Sequence, residues 1–228
     1  MFTRIAPSYD LMNRLMTFGQ DAIWRKEVIR RARLPKTGGI LLDLGAGTGD
    51  LGFEALHQHP DVISIEADFT IQMLCVGMER SDSQLPNSTD GQSKIAWSVS
   101  DALNLSFPDE TFDAVVSGFL MRNVVDLPRS LCEQYRVLKP GGRIVILDTT
   151  HPRRNLLTPL VRFHMHTVIP MLGNWISGDG DAYKYLPDSS EAFLLAEVLA
   201  SKMIAAGFEK VAFRRLNLGT IAIHWGVK

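Results

Sequence analysis

Cysteine is nearly absent. Cys75 and Cys132 are the only two in 228 residues. They lie far apart with no C-x-x-C spacing, which excludes a disulfide scaffold and a cysteine-built zinc site and fits a reducing cytoplasm. Charge of one sign is absent too. Twenty-four Lys and Arg stand against 25 Asp and Glu, a formal net charge of −1. With no basic cluster besides, no nucleic-acid partner is expected. No basic n-region leads into an apolar h-region at the N-terminus, so no signal peptide is expected. Internal repeats and domain-boundary linkers are also missing, which leaves a single domain over 1–228. At 46% hydrophobic and 21% charged, that length suffices for one α/β unit with a substantial core.

What is present is concentrated glycine. Residues 41–51 read Leu-Leu-Asp-Leu-Gly-Ala-Gly-Thr-Gly-Asp-Leu, an apolar strand entering a glycine-dense turn and then a helix from Asp50. That is the opening of a nucleotide-binding α/β unit. A dinucleotide fingerprint aligned on Gly45 and Gly47 requires glycine at position 50, where this chain has Asp50. Asp43 and Asp50 flank the turn with negative charge, whereas a pyrophosphate wants bare N–H groups at a helix N-terminus. A ligand carrying an ammonium and a sulfonium suits that surrounding better. The pattern D-x-G-x-G-x-G resembles motif I of the S-adenosylmethionine-dependent methyltransferases.

Before this turn, apolar spacing through Leu11, Leu15 and Phe18, then Ile23, Val28 and Ile29, predicts two helices split near Gly19, a helical lead-in over 1–34. After it, a helix runs to His59 and a strand covers Val62 to Glu66. Asp68, about twenty residues past the glycines, is the expected acceptor for ribose hydroxyls, with Glu66 competing. Thr70 caps a helix to about Arg80, and 81–93 is a polar loop. Strand Ile95–Val99 leads to Asp101, read either as an adenine-amine acceptor or as a helix N-cap. Strand Ala114–Gly118 precedes Arg122-Asn123, read either as facing the cleft at the end of a central strand or as a loop-stapling pair. A helix over Asp126–Leu138 is stopped by Lys139-Pro140-Gly141-Gly142, and strand Ile144–Leu147 ends at Asp148.

From Pro152 to Trp175 the chain is apolar and about as long as a membrane span, but Pro159, Pro170, Arg162 and two histidines argue against one. It reads either as extra core or as a helical insert over the site, extended as a substrate-side segment to 190, with peripheral membrane contact through 152–176. His164 and His166 fall on different helix faces, so no metal site is expected. A helix over Phe193–Ala206 and a hairpin, Lys210–Leu216 with Thr220–Val227, close the chain.

The ordered set resembles the C-methyltransferases of ubiquinone and menaquinone biosynthesis over nearly the whole chain. The matching pieces are Ala6-x-x-Tyr9-Asp10-x-Met12-Asn13, Gly19, Trp24-Arg25, the glycine motif and Asp68-Phe69-Thr70-x-x-Met73-Leu74. Further on they are Phe119-x-x-Arg122-Asn123-Val124, Arg136 to Gly142, Ala182-Tyr183-x-Tyr185-Leu186-Pro187 and Ala206-Gly207-Phe208. Departures fall at Asp21 and Ala22, where the family has His-Arg, at Leu120 in place of glycine, at Asp148 in place of glutamate, and at Asn217-Leu218. They read as gathered on the substrate side.

The resemblance implies a class I methyltransferase fold, a Rossmann-like doubly wound sheet of about seven strands, mostly parallel with an antiparallel C-terminal strand. It implies S-adenosyl-L-methionine held by Asp43, Gly45, Ala46, Gly47, Thr48, Gly49, Asp68, Phe69, Asp101, Ala102 and Gly118. The implied reaction is methylation of a ring carbon of a lipid-tailed prenylated quinol, such as demethylmenaquinol, by a cytoplasmic, membrane-associated enzyme, with a homodimer to be tested. No metal is needed. Arg122 and Asn123 are candidates for stabilising the phenolate oxygen, Tyr9, Tyr183 and Tyr185 for orienting the ring, and Asp148 or a water for receiving the proton. The alternatives are a methyltransferase of another small or lipidic acceptor and a non-catalytic S-adenosylmethionine-binding protein.

Overall fold

The computed structural model describes residues 17, 19–84, 94–151 and 193–228. Strands β1 (Gly39–Leu44), β2 (Val62–Asp68), β3 (Ile95–Val99), β4 (Phe112–Gly118), β5 (Leu138–Thr149), β6 (Glu209–Leu216) and β7 (Ile221–Val227) form one seven-stranded sheet in the order 3-2-1-4-5-7-6. The first five strands pair in parallel, and β7 runs antiparallel between β5 and β6. This is the sheet the sequence implies. Its central strands carry short continuous apolar runs, Leu41-Leu42 and Ala114-Val115-Val116, buried on both faces, as a parallel sheet covered on both sides requires. The strand order reverses between β1 and β4, the position beyond whose carboxyl ends open α/β sheets form a ligand crevice.

Helices α1 (Gln20–Ala32) and α2 (Asp50–Gln58) cover one face through Trp24, Val28, Ile29, Leu51 and Ala55, packed on Leu41, Ala114, Val116 and Val145. Helix α3 (Ile71–Gln84) lies toward the β3 side, where buried Gly77 meets the Trp97 indole. Helices α4 (Leu127–Val137) and α5 (Ala196–Ala205) cover the other face through Leu131, Val137, Leu199 and Met203 on Leu42, Val115, Ile144 and Ile146. Asp126 caps α4 by accepting from the Arg129 N–H, with Pro128 in the first turn, the arrangement expected at a helix start.

Several boundaries differ from the sequence expectation. β2 continues through Asp68 and α3 through Gln84, because Ser81 is still buried under the helix. Lys139-Pro140-Gly141-Gly142 does not separate helix from strand. It lies within β5 as a bulge opposite Asp113, with Gly141 at φ +78°. The Asp113 carboxylate fixes the bulge by accepting from Lys139 Nζ at 2.8 Å and from the Ile40 N–H at 2.8 Å. α5 starts at Ala196, not Phe193. The first lead-in helix, the loop over 85–93 and the insert over 152–190 lie outside the described residues. Among the described residues, no helix is long and apolar enough to cross a membrane.

Candidate active site

The three glycines of the turn do different work. All have positive φ, +71° at Gly45, +58° at Gly47 and +86° at Gly49, a region L side chains rarely occupy. A Cβ on Gly45 would come within 2.9 Å of Leu120 Cδ1, and one on Gly49 within 2.6 Å of the Trp97 ring. A Cβ on Gly47 would meet only Met73 Cε, at 3.4 Å. Two glycines are therefore demanded by protein side chains, whereas at Gly47 the neighbouring side chain leaves room for a Cβ in ordinary van der Waals contact. Ala67 O receives the N–H groups of both Gly45 and Ala46, at 2.7 and 3.1 Å, which ties the turn to β2.

Asp68 stands at the end of β2 with its carboxylate in the turn. It accepts from the Gly47 N–H at 2.9 Å and from the Thr70 N–H at 2.7 Å. Phe69 beside it is 77% exposed. The Asp68 carbonyl accepts from the Ser100 N–H, which brings the exit of β3 alongside. Asp101 is exposed there and accepts from the Leu103 N–H at 2.9 Å. No helix follows, so the N-cap reading of Asp101 is replaced by a turn. Ala102 packs toward the core and Thr48 is buried. Gly118 faces Leu51 of α2 rather than the open side of the turn.

Glu66 cannot compete with Asp68 for a ribose. It is completely buried beneath Gly52 of α2, where any side chain would collide with its carboxyl. Its partner is Asp43, only 1% exposed. Burial, with the Asp68 and Asp50 charges adding to it, pushes the Asp43 carboxyl up to about 7. Burial first, then the Asp43 charge, raises Glu66 well above the ordinary carboxylate range. Two carboxyls in contact without a cation cannot both ionise cheaply. Asp43 is thus part of a proton-holding pair behind the turn, not an exposed negative flank.

The other expected flank, Asp50, is neutralised. Its carboxylate pairs with Arg25 of α1 and with Arg80 of α3, the latter at 2.8 Å. Arg80 also donates to Thr48 O at 3.2 Å. Arg25 pairs in turn with Asp21, which is buried and accepts from Thr17 Oγ1 at 3.0 Å. The expectation that Asp43 and Asp50 make the turn electronegative is therefore overturned. Asp21 is a member of this cluster at the start of α2, so that departure lies beside the glycine turn.

Across the crevice, β4 ends at Gly118 and the chain turns through Phe119, a non-glycine residue at φ +60°, into a 3₁₀ turn over Met121–Asn123. Arg122 and Asp148, 26 positions apart, form a buried pair there, with side chains 6% and 1% exposed. Arg122 Nη1 donates to Asp148 Oδ1 at 3.0 Å and the Arg122 N–H to Oδ2 at 3.2 Å. The Thr149 N–H adds a bond of 2.7 Å to Oδ1. The Arg122 guanidinium lies 4.9 Å from the Phe119 ring centre. Asn123 Nδ2 donates to Phe119 O at 3.1 Å, bracing the positive-φ residue. Tyr9, Tyr183 and Tyr185 lie outside the described residues. Sequence reading missed Trp97, Arg80 and the contact of Leu120 with Gly45. Only the last left a trace, as a bulky residue where the motif it resembles has glycine.

A family model described as the ubiE/COQ5 methyltransferase family matches residues 1–228. Curated relatives include the ubiquinone/menaquinone biosynthesis C-methyltransferase UbiE of Desulfotalea psychrophila. It is 46% identical over 228 residues, which cover 100% of this chain and 89% of that protein. The demethylmenaquinone methyltransferase of Thermus thermophilus is 41% identical over 226 residues and 99% of each chain. Among solved structures, Haemonchus contortus phosphoethanolamine N-methyltransferase 2, in complex with S-adenosylhomocysteine, superposes with a TM-score of 0.65 at 16% identity. That match covers 90% of this chain and 52% of that one, a likeness of fold.

Proposed function

The chain belongs to the ubiE/COQ5 methyltransferase family, and we propose that it methylates a ring carbon of a prenylated quinol, a demethylmenaquinol or related quinone precursor. The observation that carries the reading is the meeting of two elements across the β1–β4 crevice. The glycine turn lies on one side and the Arg122 turn on the other, touching through Gly45 and Leu120. The residues fit S-adenosylmethionine. A Cβ on Gly47 would meet only Met73 Cε, Asp68 projects into the turn, and Phe69 offers an exposed ring beside it. When bound, that cofactor supplies an activated methyl group on its sulfonium.

The chain's own part is to hold and polarise the acceptor. A phenol ring carbon becomes nucleophilic as the neighbouring hydroxyl loses its proton, so the oxygen needs a cation or donors beside it. Arg122 and Asn123 are assigned that role. The Asp148 oxygens are already taken by Arg122 and the Thr149 N–H, which supports Asp148 as the anchor of Arg122 and a water as the proton acceptor. Holding the acceptor in line with the methyl group supplies most of the remaining acceleration. Tyr9, Tyr183 and Tyr185 are assigned to orient the ring, and 152–176 to meet the bilayer in which a lipid-tailed acceptor resides.

Incubation of the protein with methyl-labelled S-adenosylmethionine and a lipid extract containing quinone precursors tests this. Label is expected in a quinone fraction. Label in a different lipid would favour another acceptor. Binding of S-adenosylhomocysteine without any transfer would leave a non-catalytic binder.

A further inference from the structure

The start of α2 is held by a cluster of four charges drawn from three helices: Asp21 and Arg25 from α1, Asp50 from α2 and Arg80 from α3. Among the described residues of the cluster, two charges are negative and two positive. Arg80 does more than pair with Asp50. Through Thr48 O it reaches the backbone of the glycine turn itself. Gly49, which precedes Asp50, is a left-handed N-cap without a side-chain bond, so the turn is fixed from outside by these guanidiniums. The side chains are about four-fifths buried, with exposures of 16% at Arg25, 25% at Asp50 and 20% at Arg80. Charges so placed are screened far less than surface ions.

We propose that Arg25 and Arg80 are positioning residues for the cofactor turn, and that by neutralising Asp50 they set how strongly the turn prefers a positively charged ligand over a neutral one. The inference rests on the reading of the turn as an S-adenosylmethionine site. S-Adenosylmethionine carries a sulfonium, and S-adenosylhomocysteine is the same molecule without that methyl group and charge. Each guanidinium offsets part of the Asp50 charge that would otherwise favour the sulfonium. Removing one guanidinium makes the cluster more negative by one charge, and removing the Asp50 charge makes it more positive by one. These changes must move the preference in opposite directions.

The experiment is calorimetric binding of S-adenosylmethionine and of S-adenosylhomocysteine to wild type, Arg80→Met, Arg80→Lys and Asp50→Asn, with melting temperatures recorded for each. Arg80→Met is expected to raise the ratio of affinities in favour of S-adenosylmethionine by roughly threefold to tenfold. Asp50→Asn should lower it by a similar factor, and Arg80→Lys should stay near wild type. A purely structural role predicts that both affinities weaken together with the ratio unchanged, and that result overturns the proposal. If Arg80→Met does not fold, Asp50→Asn decides: an unchanged ratio overturns the proposal and a lowered one supports it. Failure of wild type to bind either ligand would overturn the cofactor reading as well, and is distinguishable because no ratio then exists.

Discussion

Leu120 rests directly on the backbone of Gly45. Three of its side-chain atoms lie 2.9 to 3.1 Å from where a Cβ on that glycine would stand. The contact joins the turns at the carboxyl ends of β1 and β4, at the point where the strand order reverses. It also explains why the first glycine of the motif is fixed by packing as much as by any ligand.

Gly45→Ala is expected to cost about 2–4 kcal/mol, from the left-handed backbone at φ +71° and the collision with Leu120. Leu120→Ala in the same chain should return the steric share and leave the backbone share. A double-mutant cycle read by denaturant unfolding would then show coupling of about 1 kcal/mol or more. Strict additivity would mean that the two residues do not touch in solution.

The Asp43–Glu66 pair gives stability a pH dependence of known sign. Asp43 ordinarily titrates near 3.8 and is raised to about 7, and Glu66 is raised too. The folded protein therefore keeps protons that the unfolded chain has released. The stabilisation is full below about pH 4 and is lost as the pH rises toward and past 7. His224 opposes this at the acid end. Burial lowers it from 6.5 to about 4, so its contribution is present above 6.5 and is lost as the pH falls. Glu66→Gln removes the share that Glu66 itself contributes and leaves both the burial-driven share of Asp43 and the His224 effect. It should stabilise the fold by about 1–3 kcal/mol at pH 8.5 and far less at pH 5.5. A gap between the two melting curves that does not widen with pH would sink the assignment.

Arg122 and Asp148 should separate stability from turnover. Arg122→Met leaves a buried carboxylate without its cation and is expected to cost about 3–5 kcal/mol. Arg122→Lys keeps the charge and most of the stability but loses the planar donor fork. Its kcat should fall on the order of a hundredfold while S-adenosylhomocysteine affinity holds. Unimpaired kcat in the lysine variant would take the phenolate role away from Arg122.

Gly77 tests the wedge beneath the turn. Alanine normally stabilises a helix interior over glycine by about 1 kcal/mol. Here its methyl group would run into the Trp97 indole and crowd Thr48 O at 3.1 Å. A net loss of about 1–3 kcal/mol is expected instead, and Trp97→Phe should recover part of it. Melting temperatures of the two single variants and the double variant check this.

The sequence by itself determined everything that depends on neighbours along the chain. The short apolar runs gave the parallel strands, Asp126 and Pro128 gave the start of α4, and three glycines in five residues gave a turn that only positive φ can form. Its motif resemblance also reached the family. Boundaries failed where packing overrode local signals, as at Lys139–Gly142, where a cation on Asp113 carries the strand through a sequence that reads as a stop. The electrostatics of the site were decided by the tertiary structure alone. Asp50 looks like exposed negative charge until α1 and α3 bring Arg25 and Arg80 to it from 25 and 30 positions away. Glu66 and Asp68 look interchangeable until α2 closes over one and leaves the other in the turn. Arg122 looks like a free cation until β5 delivers Asp148 beneath it. Spacing fixes which backbone a segment adopts. The charge and burial of a side chain depend on partners that only the fold brings near.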